Sequence, residues 1–216
     1  MSKNYQKELD TILSRLAERK DLPSLLIHSC CAPCSSYVLE YLSGYFNIIV
    51  YYYNPNIAPE SEYLKRFGEQ ARLIDILNNG NPDKLQSIES DLPLRKIKLI
   101  SDDYDQNEFY KIAAGLESEP EGGLRCIECF KLRLDRSAGK AAELGCEFFT
   151  TTLTVSPHKN ADMLNEIGME AAKKHNVTFL PSDFKKKNGY KRSIELSGQY
   201  GLYRQDYCGC VFSMRK

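Results

Sequence analysis

No run of about 18 apolar residues occurs in this chain, so a membrane-spanning helix is not expected. The opening segment, Met1 to Lys20, is polar and charged and holds no apolar signal core, which points to a cytoplasmic protein. Excess charge of one sign is also missing. The 29 basic residues are balanced by 29 acidic ones, which excludes a surface coated in positive charge but permits a local basic face. Tryptophan is absent, and that alone excludes nothing. There is no internal repeat and no low-complexity linker, and 42% apolar content over 216 residues suffices for one full core. A single α/β domain over 1–216 is therefore expected, with an N-terminal helix over about 4–20 and a cysteine-bearing C-terminal segment, about 182–216, closing the site.

Cysteine is what the sequence has in excess. There are eight, and only Cys146 stands alone. The others form three tight groups: Cys30-Cys31-x-x-Cys34, Cys126-x-x-Cys129 and Cys208-x-Cys210. In a reducing compartment such grouping points to metal or redox chemistry rather than to a disulfide framework.

Strand and helix signals alternate along the chain. Leu9, Ile12, Leu13 and Leu16 make one apolar stripe of a first helix. Strands are expected at Ser24–Ser29, Ile48–Tyr53, Arg95–Ile100, Phe148–Leu153 and Val177–Leu180. Helices are expected over about 35–43, 60–78, 107–116, 127–144 and 160–175, and Pro120 with its neighbouring glycines marks Glu117–Gly123 as a loop. Strands separated by helices imply a parallel sheet of about five strands, Rossmann-like and resembling the nucleotide alpha-hydrolase arrangement. Ligands collect beyond the carboxyl ends of such strands. Cys30 and Cys31, Asn54-Pro55-Asn56, Ser101-Asp102-Asp103 and Thr154–His158 all fall there.

Each polar candidate has two readings. Cys126-x-x-Cys129 opens a helix and fits zinc, an iron–sulfur cluster or a dithiol. Cys30 and Cys31 would complete four thiolates, and adjacent cysteines suit a multinuclear cluster better than one tetrahedral zinc. Cys208-Gly209-Cys210 is either a redox couple with a strained, easily reduced disulfide or a further ligand pair. Cys34, one turn into a helix, either ligates or borders the site, and Cys146 packs. His28 reads as a core histidine, His158 as a rim residue placed for proton donation, and His175 as a helix-end cation. Asp102 is a candidate donor or a solvated loop acid. Lys185, Lys186, Lys187, Lys191 and Arg192, interleaved with Tyr190, form either a solvated face or phosphate contacts for nucleic acid. The loop His28–Cys34 contains no glycine, so the usual backbone cradle for nucleotide phosphates is not expected.

Five segments together resemble the cobalamin-independent epoxyqueuosine reductase family. They are His28-Ser29-Cys30-Cys31-Ala32-Pro33-Cys34-Ser35, Tyr53-Asn54-Pro55-Asn56-Ile57, Arg125-Cys126-Ile127-Glu128-Cys129-Phe130, Thr151–Lys159 (TTLTVSPHK) and Tyr207-Cys208-Gly209-Cys210. The resemblance implies two-electron removal of the epoxide oxygen from epoxyqueuosine in a tRNA anticodon loop, with electrons from a donor the sequence does not identify. It implies a 4Fe-4S cluster on Cys30, Cys31, Cys126 and Cys129 and a redox-active pair at Cys208 and Cys210. Some family members carry an acid at the position of Cys34, which suggests a second, mononuclear metal ion such as iron. Two other classes are weighed against it: a cysteine-dependent tRNA sulfur-transfer enzyme, disfavoured by the missing glycine-rich loop, and a zinc-stabilised RNA-binding module.

Overall fold

Leu25-Leu26-Ile27 and Ile48–Tyr52 are apolar and aromatic on both faces, so they can only be the middle of a sheet covered on two sides. A computed structural model describes residues 3–80 and 96–214. Its elements, in order, are α1 (Tyr5–Leu16), β1 (Ser24–His28), α2 (Ala32–Leu42), β2 (Asn47–Tyr52), α3 (Glu60–Asn79), β3 (Lys98–Ser101), α4 (Gln106–Ala113), α5 (Leu124–Glu143), β4 (Phe148–Thr151), α6 (Ala161–His175), β5 (Thr178–Phe179) and α7 (Gly189–Gln199). The strands run parallel in the order β3-β2-β1-β4-β5, with Leu26 level with Ile49 on one side and Phe149 on the other. This is the expected Rossmann-like α/β arrangement. No helix among the described residues is long and apolar enough to cross a membrane.

The chain winds from β1 outward to β3, then returns to the middle to place β4 against the other side of β1. The connections after β1 and after β4 therefore leave the sheet in opposite directions and open a crevice between them. That crevice holds the site. One face of the sheet buries Leu9, Leu13, Val38, Leu42, Leu73 and Leu196 from α1, α2, α3 and α7. The other buries Ala138, Ala141, Ala171 and Ala172 from α5 and α6, whose small side chains bring both helices close to the strands.

Boundaries shift for local reasons. The second helix begins at Ala32, because Pro33 fixes the backbone in its first turn. The fourth strand stops at Thr151, whose Oγ1 accepts from Leu153 N at 3.1 Å and turns the chain into a buried 3₁₀ turn, Thr152–Val155. Arg95, expected to begin the third strand, lies outside the described residues. The helix α7 is additional to the expected set. It starts after Asn188, at φ 64°, within the run expected only to be basic.

Two glycines give opposite expectations. A Cβ on Gly168 would stand 2.4 Å from the Phe179 ring, jamming α6 against β5, whereas one on Gly68, inside α3, would meet nothing within 4 Å. Gly168→Ala should destabilise the fold by about 1–3 kcal/mol. Gly68→Ala should stabilise it by about 1 kcal/mol. Urea midpoints of the two variants check both signs.

Candidate active site: a cysteine-lined crevice

His28 closes β1, and the next residues carry the chain across the sheet edge into α2. Two hydroxyls pin this passage, since Ser29 Oγ and Ser35 Oγ both donate to Gln70 Oε1, at 2.7 and 2.8 Å. Asn54 Nδ2 adds a donation to Ser29 O at 2.8 Å. The sulfurs of Cys30, Cys31 and Cys34 then lie within 4.8 Å of one another, the first two buried. Cys30 Sγ is 3.7 Å from Cys31 Sγ and 3.9 Å from Thr152 Oγ1, across the crevice.

Three thiols so close cannot share their charge equally. S–H donation from Cys31 and Cys34 holds Cys30 well below the usual thiol range, against the opposing effect of burial. The same contact with Cys30 pushes Cys31 up to about 12 and Cys34 well above its ordinary value. A soft cation relieves this competition by replacing the shared protons. Three thiols in this geometry can hold a metal.

The remaining cysteines arrive from two other elements. Cys126 and Cys129 stand on the first two turns of α5, with Gly122 N donating to Cys126 Sγ at 3.2 Å. Burial pushes Cys129 up to about 12, opposed by Arg133, one turn further on. Cys208 and Cys210 flank Gly209, whose φ of 122° only glycine adopts readily. This turn is bolted to the sheet edge: Ala58 N donates to Gly209 O at 2.9 Å, Tyr207 Oη to Ala58 O at 2.6 Å and Arg66 to Cys208 O at 3.1 Å.

Two adjoining cavities share Cys208. The larger, about 270 Å³, is walled by Cys30, Cys34, Arg133, Lys159, Tyr207 and Cys208, among others. The smaller holds Cys126, Cys129, Cys208 and Cys210 beside Asn56. Cys126 also packs against the apolar group that contains Cys30 and Cys31. Of the expected ligands, Cys30 and Cys31 stand in the tight triad with Cys34, whereas Cys126 and Cys129 lie outside that triad and line the smaller cavity. Cys146 packs behind the sheet with Leu26 and Phe149.

The other expected residues divide. His158 is exposed and lines the larger cavity. Asp102 lies outside both cavities. Its carboxylate accepts from Tyr51 Oη at 2.5 Å and sits 3.5 Å from Arg136 and Lys140. The basic run is largely neutralised: Lys185 pairs with Asp183 at 2.9 Å, Lys187 with Asp10 at 2.7 Å and Arg192 with Glu40 at 2.6 Å. Lys186 and Lys191 are exposed and have no carboxylate partner among the described residues. Arg133 and Lys159 are site residues that were not expected from sequence. Arg133 was findable, because it follows Cys126 and Cys129 at i+7 and i+4 on one helical face. Lys159 sits inside the TTLTVSPHK segment.

An α/β protein with thiols from three elements gathered at the switch point of a parallel sheet belongs to the metal- or redox-active class. The comparisons give the particular family. A family model described as "Epoxyqueuosine reductase QueH" matches residues 25–216. Proteins named epoxyqueuosine reductase QueH from Staphylococcus epidermidis and Streptococcus pyogenes are 45% and 42% identical. These alignments cover 99% and 100% of this chain, and 85% and 81% of the relatives. The one from Thermotoga maritima is 34% identical, over 88% of this chain and 90% of its own length. The chain belongs to the epoxyqueuosine reductase QueH family.

Proposed function

We propose that this chain, an oxidoreductase, reduces epoxyqueuosine to queuosine in the anticodon loop of tRNA. The observation that carries this reading is that six of the eight cysteines line two cavities sharing Cys208, with Cys31 in the tight triad beside Cys30 and Cys34. Removing the epoxide oxygen as water takes two electrons and two protons. The Cys208 and Cys210 thiols supply both when they close to a disulfide, and an external reductant of undefined identity reopens it. A 4Fe-4S cluster on Cys30, Cys31, Cys126 and Cys129 would supply electrons singly and an electrophilic iron. Cys34 would serve a second, mononuclear iron near it. Arg66 and Gly209 hold the dithiol turn toward the crevice, and His158 stands at the cavity mouth, placed to pass a proton. Asp102, held by Arg136 and Lys140 outside the cavities, has no such placement.

Zinc is the competing occupant of an all-thiol site. Anaerobically purified protein should be brown and carry acid-labile sulfide, with iron equal to the sulfide or exceeding it by the one ion that Cys34 would serve. Colourless protein with zinc alone would favour an RNA-binding module instead. Nothing in the glycine-free loop or the cavity supports ATP-dependent sulfur transfer.

For tRNA, the exposed Lys186 and Lys191, with Lys159 and Arg204 at the larger cavity, are the candidate phosphate contacts, none of them paired with a carboxylate among the described residues. Reversing Lys186, Lys191 and Arg204 together should weaken binding. It should also flatten the dependence of log affinity on log salt by roughly 0.7 for each phosphate no longer neutralised. Neutralising Lys187 and Arg192, already paired with Asp10 and Glu40, should change both far less. Equal effects from the two sets would assign tRNA binding to the whole run 185–192.

A further inference from the structure

Arg133 is a buried cation with no carboxylate. Its side chain is 1% exposed, and its nitrogens meet uncharged partners: Nε donates to His28 Nε2 at 3.3 Å and a terminal nitrogen to Asn54 Oδ1 at 2.6 Å. The third lies 4.0 Å from Cys129 Sγ. No Asp or Glu pairs with it among the described residues. His28 cannot compensate, because an imidazole is neutral or cationic and never supplies a negative charge. Arg66, equally buried, shows the ordinary solution: Glu62 stands 2.7 Å away.

A guanidinium keeps its proton in any protein environment. A charge in the interior is costly unless hydrogen bonds or an opposite charge answer it. Arg125, equally buried, donates to three backbone carbonyls, whereas Arg133 meets none. The groups left to answer Arg133 are sulfurs: Cys129 on its own helix, and Cys30 and Cys208 on the wall of the cavity it shares. Lys159, another cation on that wall, faces the same sulfurs; Arg133 differs from it in reaching Cys129 on its own helix and in keeping its charge at any pH.

We infer that Arg133 is the fixed counter-charge of the thiolate-held iron–sulfur centre and raises its reduction potential. The inference rests on reading the crevice thiols as cluster ligands. Adding an electron makes such a centre more negative, so a permanent cation beside its ligands stabilises the reduced form; net charge and hydrogen bonds to sulfur are the usual levers on these potentials. Arg133 acts through the thiolates and is a positioning residue rather than a catalytic one.

Redox titration of the iron-loaded protein, followed by visible absorbance and electron paramagnetic resonance, tests it. At the wild-type midpoint, Arg133→Gln should lower the reduced-to-oxidised ratio at least tenfold, which is about 59 mV for one electron. Arg133→Lys keeps the charge and should restore most of that ratio, which a purely structural role would not predict. Asn54→Asp neutralises the guanidinium in place and should shift the ratio in the same direction, so the test survives if Arg133→Gln does not fold. Iron and sulfide assays on the same samples separate a lost centre from a shifted one. Wild-type potentials in loaded Arg133→Gln, or in loaded Asn54→Asp where the first does not fold, would overturn the inference. Wild-type protein carrying zinc and no sulfide would overturn the underlying reading, and the inference with it.

Discussion

Exchanging Cys30 for alanine should strip the protein of iron and visible absorbance and abolish deoxygenation, while leaving the fold in place. Cys30 is the thiol of the triad whose ionisation its neighbours favour, its contacts with Cys31 and Cys34 holding it well below the usual thiol range. Losing it removes a ligand and the anion that organises the other two. Outer-sphere partners of metal ligands already cost 10–100-fold in affinity or activity, so loss of a ligand should exceed that range. The fold should survive, because the chain here is held by Ser29, Ser35, Gln70 and Asn54 rather than by the sulfur. Metal analysis, absorbance and circular dichroism on one sample check all three points. A Cys30→Ala protein with its full iron complement would remove Cys30 from the ligand set.

The double substitution Cys208→Ser, Cys210→Ser should do the reverse, preserving the iron and losing turnover by at least about 10³-fold, the scale on which groups acting in the chemical step register. The two thiols sit on a turn fixed from outside by Ala58 and Arg66, so serine hydroxyls can replace them without moving the backbone. Thiol trapping of oxidised wild-type protein should find these two cysteines protected together. Iron lost in step with activity in the double variant would make them ligands instead.

Much of this was legible in the sequence because it depended on short-range pattern. The apolar runs at 24–28 and 47–52 admit no other place than a covered sheet. Strand–helix alternation then forces the cysteines after β1 to the same edge as Thr152 after β4. What the sequence hid was long-range. The lysines and arginine of 185–192 read as one basic stretch, yet their partners Asp10 and Glu40 come from α1 and α2, far earlier in the chain. Asp102 follows a strand, as the cysteines do, but its strand is the sheet edge, two places from β1, and α5 supplies cations that draw it aside. The last helix escaped notice because Gly189 and Gly198 bracket a polar run, whose burial of Leu196 against α2 is visible only once both elements are placed.

The central claim is that thiol-held iron in this crevice removes the epoxide oxygen from a tRNA nucleoside. The most direct test incubates epoxyqueuosine-containing tRNA with a strong reductant and iron–sulfur-loaded, zinc-loaded or metal-free protein, then digests the tRNA and weighs its nucleosides. The account predicts that only the iron–sulfur-loaded protein yields a nucleoside lighter by one oxygen. Equal conversion by the zinc-loaded or metal-free protein, or none by the iron–sulfur-loaded one, would contradict it.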